Sequence, residues 1–142
     1  MLKLNREFFE NNEVLFVGYS GRNKAFSSMV YKAFTDNGIK VYPLNNKEGG
    51  SYDVKVYTRL SEIPTIPKSA YVLLNKENAR KTIKTLADSG VKRILFQGKK
   101  VVDEGILEDC KSNGIEAVAA CPMMIFGSGL HKIHGFFAGV RK

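Results

Sequence analysis

The chain has 142 residues, 44% of them hydrophobic and 25% charged, with 22 Lys and Arg against 14 Asp and Glu for a formal net charge of +8. At about 150 residues per domain, residues 1–142 are expected to form one domain with a buried core. No segment reaches the roughly 18 uninterrupted apolar residues of a membrane span, and Met1-Leu2-Lys3-Leu4-Asn5-Arg6 lacks the apolar run of a signal peptide, so a cytoplasmic protein without a membrane partner is expected.

In chain order, residues 4–12 read as a short helix with Phe8 and Phe9 turned inward, and 14–17 as a first strand, apolar throughout like a parallel strand covered on both faces. Residues 25–37 form an amphipathic helix with Phe26, Met29, Val30, Ala33 and Phe34 on one stripe, closed by Gly38. A second strand spans 39–44, and 45–53, rich in Gly and Asn, is a surface loop. The two prolines of 61–67 mark a connection into a third buried strand, 70–74. A helix over 77–89 packs Ala79, Ile83 and Leu86 inward, a fourth strand covers 93–96, a helix 103–113, and a fifth strand 115–120. Such alternation of strand and helix with short links implies an α/β fold, a five-stranded parallel sheet with helices on both faces. Residues 128–142 are expected to form a last helix carrying Leu130, Ile133, Phe136, Phe137 and Val140, interrupted by Gly135 and Gly139. That tail is expected to cover its own sheet, with dimerisation as the alternative, which leaves monomer and homodimer both open.

The chemistry concentrates after the first strand, in Gly18-Tyr19-Ser20-Gly21-Arg22-Asn23-Lys24. Gly18 and Gly21 allow a turn that a Cβ would obstruct, and they bring backbone N–H groups close to an anion where the next helix presents its free amides. Ser20 adds a hydroxyl, either as a helix cap or as a phosphate donor, and the complete strand–loop–helix–strand context favours the phosphate. Arg22 and Lys24 either neutralise a pyrophosphate or stand as solvated loop cations. The full dinucleotide fingerprint, G-x-G-x-x-G with an acid roughly 20 residues further on, is absent, since Ser20 takes the second glycine's place and the second strand ends at Asn45. Asn45, Asn46 and Lys47 stand where a carboxylate would grip a ribose diol, which suits an adenosine ribose carrying its own phosphate, as in NADP or coenzyme A.

Ligands of open parallel sheets lie beyond the carboxyl ends of the strands. The remaining candidates at those ends are Asn75 and Lys76 after the third strand, Gln97 and Gly98 after the fourth, and Cys121 after the fifth.

Several of these segments carry a family resemblance: the lead-in helix before Val14-Leu15-Phe16-Val17-Gly18-Tyr19-Ser20, then Val41-Tyr42-Pro43-Leu44-Asn45, Val56-Tyr57-Thr58-Arg59-Leu60-Ser61-Glu62-Ile63-Pro64, Leu95-Phe96-Gln97-Gly98 and Cys121-Pro122. In order and spacing the chain resembles the small single-domain CoA-binding proteins, related to the nucleotide-binding domain of succinyl-CoA synthetase α-type subunits. It departs from them at Asn46, where the family usually has proline, at Lys99-Lys100, and in its tail. The resemblance implies a three-layer Rossmann-like fold and a module that binds coenzyme A or an acyl-CoA. The pyrophosphate would lie over the loop from Gly18 to Lys24 and the adenosine near Asn45 and Lys47. The alternative is an NADP-binding redox or sensor protein.

Other clusters carry less. Lys76, Arg80, Lys81 and Lys84, with Lys92, Arg93, Lys99 and Lys100, form basic stretches without any nucleic-acid-binding motif, so a solvated surface and no specific nucleic-acid partner are expected. His131 and His134 lack a third metal ligand. Cys110 and Cys121 are expected to be reduced, and Cys121 has no base beside it for nucleophilic catalysis. With no Walker lysine, nucleophile elbow or paired carboxylates, no catalytic residue and no metal are assigned, and a binding module is expected before an enzyme.

Overall fold

A computed structural model describes residues 8–19, 24–45, 54–98 and 102–123. Its strands are β1 (Glu13–Val17), β2 (Lys40–Leu44), β3 (Ser69–Val72), β4 (Arg93–Phe96) and β5 (Glu116–Ala119), and its α-helices are α1 (Lys24–Asp36), α2 (Lys76–Asp88) and α3 (Glu104–Ser112). The strands form one parallel sheet in the order β2-β1-β3-β4-β5. The chain therefore leaves β1 towards one edge through α1 and β2, then returns past β1 and builds outward in the other direction. Right-handed crossovers require the two halves to place their helices on opposite faces.

The packing follows. On one face Val30 and Phe34 of α1 meet Phe16, Tyr71, Leu95 and Val118, with Phe8 and Phe9 beside them. On the other, Ala79, Ile83 and Leu86 of α2 and Ile106 and Cys110 of α3 cover Leu15, Ala70, Val72, Ile94 and Phe96. Strand side chains alternate between the two cores, which is why the strands read as continuous apolar runs. Burial of each large apolar side chain contributes about 1.5–3 kcal/mol. The expected five-stranded, doubly covered Rossmann-like sheet is the observed one.

Local chemistry explains most boundaries. Asn75 caps α2 by accepting from Asn78 N at 2.8 Å, and Asp103 caps α3 by accepting from Ile106 N at 2.9 Å. Two expectations are corrected. The lead-in segment ends in a single 3-10 turn, Glu10–Asn12, instead of a helix through Asn12, because Asn11 (φ 60°) and Asn12 (φ 55°) adopt left-handed backbone. Between β2 and β3, where a loop and a proline-bearing connection are expected, the described residues hold a 3-10 turn, Leu60–Glu62. Met29 is 45% exposed and Ser27 takes a buried place in its stead. At about 100° per residue Met29 is turned a quarter-circle off Val30, the centre of the stripe.

β2 is an edge strand, and Pro43 sits at a position whose backbone faces outward: its carbonyl accepts from Tyr57 N at 2.9 Å, and Asn45 N donates to Tyr57 O at 2.9 Å. Positions 46–53 of the expected loop 45–53, the helix start at 4–7 and the tail 128–142 lie outside the described residues.

Candidate functional site

At the carboxyl ends of β1 and β3, where the strand order reverses, the two backbones come unusually close. Gly18 has φ 95°, and a Cβ there would overlap the Leu73 carbonyl oxygen and stand 2.8 Å from Leu74 Cδ2. Only glycine fits both the left-handed backbone and the approach. The strand ends are tied together by Gly18 N and Tyr19 N, which donate to Leu44 O at 2.8 and 3.3 Å, and by Leu73 N, which donates to Val17 O at 2.9 Å.

A cleft of about 660 Å³ opens at this point, on the α2 face of the sheet. Val17 and Gly18 form its floor, and Leu44, Asn45, Thr58 and Leu60 one wall. Leu73, Leu74 and Asn75 lead into the opposite wall, the α2 residues Asn78, Lys81, Thr82, Thr85 and Leu86. Its volume is that of a small-molecule site, and its apolar base with amide and hydroxyl walls suits a flat heterocycle bearing polar substituents. The Thr58–Leu60 wall is held by Glu62, whose carboxylate accepts from Thr58 N at 3.0 Å, Thr58 Oγ1 at 3.2 Å and Arg59 N at 3.3 Å. These donors, the Thr58 amide first, hold the Glu62 carboxyl below its ordinary range.

The candidates named from sequence divide among several places. Gly18, Asn45 and Asn75 meet in the cleft. The Asn45 side chain also donates from Nδ2 to Tyr19 O at 2.8 Å, fixing the loop after β1. The Tyr19 ring points away from the rim, fully buried against Phe16 and Tyr31, with its hydroxyl 3.3 Å from Ser28 Oγ. Lys76 faces α3, its Nζ 3.6 Å from Asp103 Oδ2. Gln97 lies on the α1 face, where its Oε1 accepts from the Tyr71 hydroxyl at 2.6 Å. Burial holds the Tyr71 phenol above its ordinary pKa, with the nearby Cys121 adding a smaller push in the same direction, so Tyr71 remains a donor. Gly98 has φ 75° with open space around it, and Cys121 is half-buried and free. Lys24 opens α1, whereas Ser20, Gly21, Arg22, Asn23 and Lys47 lie outside the described residues, as do His131 and His134.

Thr58, Leu60, Asn78, Lys81, Thr82 and Thr85 also line the cleft, although the sequence assigns Lys81 to a solvated surface and gives the other five no site role. The spacing of 78, 81/82 and 85, one polar helical face beside an apolar one, was the available signal. The basic residues of α2 do not form one stripe: Lys76 and Arg80 pair with Asp103 and Asp109 across to α3, Lys84 pairs with Asp88, and Lys81 lines the cleft. Burial pushes the Cys110 thiol up to about 11, which keeps it unreactive. Among the described residues no His, Cys, Asp or Glu cluster fits a metal ion, and no helix is long and apolar enough to cross a membrane.

In solved structures the same fold recurs. A hypothetical protein from Pyrococcus horikoshii OT3 is similar at 22% identity and TM-score 0.70, over 83% of this chain and 84% of that one. A conserved hypothetical protein from Pyrococcus furiosus is similar at 18% identity and TM-score 0.64, over 85% and 97%. An acetyl-coenzyme A synthetase of Ca. Korarchaeum cryptofilum is similar at 21% identity and TM-score 0.62, over 80% of this chain but 27% of that one. No curated protein matches the sequence. Residues 12–127, from the lead into β1 to beyond Cys121, match the family described as CoA binding domain, and the chain belongs to that family.

Proposed function

We propose that the protein binds coenzyme A or an acyl-CoA at the carboxyl edge of its sheet, as a binding module without a catalytic step of its own. The observation that carries this reading is the cleft at the β1/β3 reversal, in a chain of the CoA binding domain family. The adenosine lies in the cleft near Asn45 and Lys47. The pyrophosphate lies over the loop from Gly18 to Lys24, where the amides opening α1 and the loop cations favour negative charge. The pantetheine arm then runs along the rim towards Gln97, Gly98 and Cys121.

Titration calorimetry against coenzyme A, acetyl-CoA, NADP and NAD tests the reading. Coenzyme A or acetyl-CoA is expected to bind and NAD is not; binding of NADP or NAD without coenzyme A overturns it. Ser20→Ala and Arg22→Ala are each expected to weaken binding, whereas Lys84→Ala, whose lysine pairs with Asp88, leaves it unchanged.

A further inference from the structure

Three donors converge on a single carboxylate oxygen behind the cleft wall. Glu62 Oε1 accepts from Thr58 N at 3.0 Å, from Thr58 Oγ1 at 3.2 Å and from Arg59 N at 3.3 Å. An ionised carboxylate only accepts, so the Thr58 hydroxyl is the donor in its contact. A hydroxyl has one hydrogen and two lone pairs, and at Thr58 the hydrogen is taken. Thr58 is half-buried and lines the cleft, whereas Glu62 is not among the described residues that do. Towards an occupant, the Thr58 hydroxyl is therefore an acceptor only. On the same wall Leu44 and Leu60 carry no polar side-chain group, and Asn45 is tied through its Nδ2 to Tyr19 O at 2.8 Å.

The apolar base and leucines of the cleft suit the faces of a flat heterocycle, which leaves its edge to be read by the polar wall. Adenine carries an amino donor at its 6-position; its deaminated form, hypoxanthine, carries a carbonyl acceptor there. An acceptor-only hydroxyl pairs with the first and opposes the second. Resting on the coenzyme A reading above, we infer that Thr58, its hydroxyl polarity set by Glu62, accepts from the 6-amino group and makes the cleft select 6-amino over 6-oxo purines. Thr58 is the specificity-determining residue and Glu62 the positioning residue that acts through it.

The test compares, by calorimetry, the affinities of the full chain for coenzyme A and for its analogue with hypoxanthine in place of adenine. Wild type is expected to favour coenzyme A by about tenfold, the consequence of setting two acceptors against each other. Thr58→Val keeps the shape and removes the hydroxyl, and is expected to bring the preference to within about twofold. Glu62→Leu frees the hydroxyl to turn and donate, so the preference collapses as the hypoxanthine analogue gains affinity. Glu62→Gln, whose amide oxygen still accepts from all three donors, keeps it. A wall that Glu62→Leu merely loosened would weaken both compounds together and leave their ratio unchanged. A preference that survives in Thr58→Val or in Glu62→Leu overturns the inference, as does equal binding of the two compounds by wild type. If the wild type binds neither compound, the coenzyme A reading itself has failed.

Discussion

Replacing Gly18 by alanine separates what this glycine does for the backbone from what it does for packing. A residue with a Cβ held in left-handed backbone costs roughly 1–2 kcal/mol. The added methyl at Gly18 also overlaps the Leu73 carbonyl and crowds Leu74 Cδ2 at 2.8 Å, at the point where β1 and β3 are hydrogen-bonded. Moving paired strand ends apart costs about 1–3 kcal/mol more, giving a total of about 2–5 kcal/mol. In a domain of this size about 3 kcal/mol lowers the melting temperature by about 10 °C. Gly98→Ala is the matched control, because Gly98 also has positive φ (75°) but open space where its Cβ would stand. It is expected to lose only about 1–2 kcal/mol. Thermal and urea unfolding followed by circular dichroism measure both variants. If Gly18→Ala costs no more than Gly98→Ala, the close approach of β1 to β3 is not what the glycine serves, and the account of how the cleft floor forms is wrong.

Glu62 couples the cleft wall to pH. Its folded pKa is depressed, so its contribution is present above the ordinary carboxylate range and is lost as pH falls through the folded value; the melting-temperature advantage of wild type over Glu62→Gln should therefore shrink as the pH drops below about 4. Ile83, 1% exposed between α2 and the sheet, should cost about 2–5 kcal/mol in urea unfolding when cut to alanine. Met29→Ala, at a position 45% exposed, should stay within about 0.5 kcal/mol, and a larger loss would return Met29 to the core stripe.

The sheet was legible because each strand is buried on both faces and so reads as an apolar run of its own, bounded by glycine, asparagine or proline. Gly18 was legible for a related reason: a glycine ending a buried strand before a helix has few other uses. Tyr19 was not, since the chain leaves the strand at Gly18 and the alternation that orients Phe16 no longer predicts where the next ring turns. Lys76 and Lys81 differ in role although they sit close together in sequence. Their difference is set by the acids of α3 and the wall at Thr58, which meet α2 only in the folded chain.

The backbone of Tyr57 closes the outward hydrogen-bonding positions around Pro43 at the β2 edge, and the residues following it, Thr58 and Leu60, form the cleft wall. One short segment therefore both shapes the cleft and denies an incoming strand from another molecule its first pairing sites, with the missing amide of Pro43 reinforcing the block. The shape of the cleft and resistance to aggregation draw on the same few hydrogen bonds. A substitution that loosens this segment to widen the cavity would also make the protein less soluble, and an occupant that braces the wall would protect it from self-association.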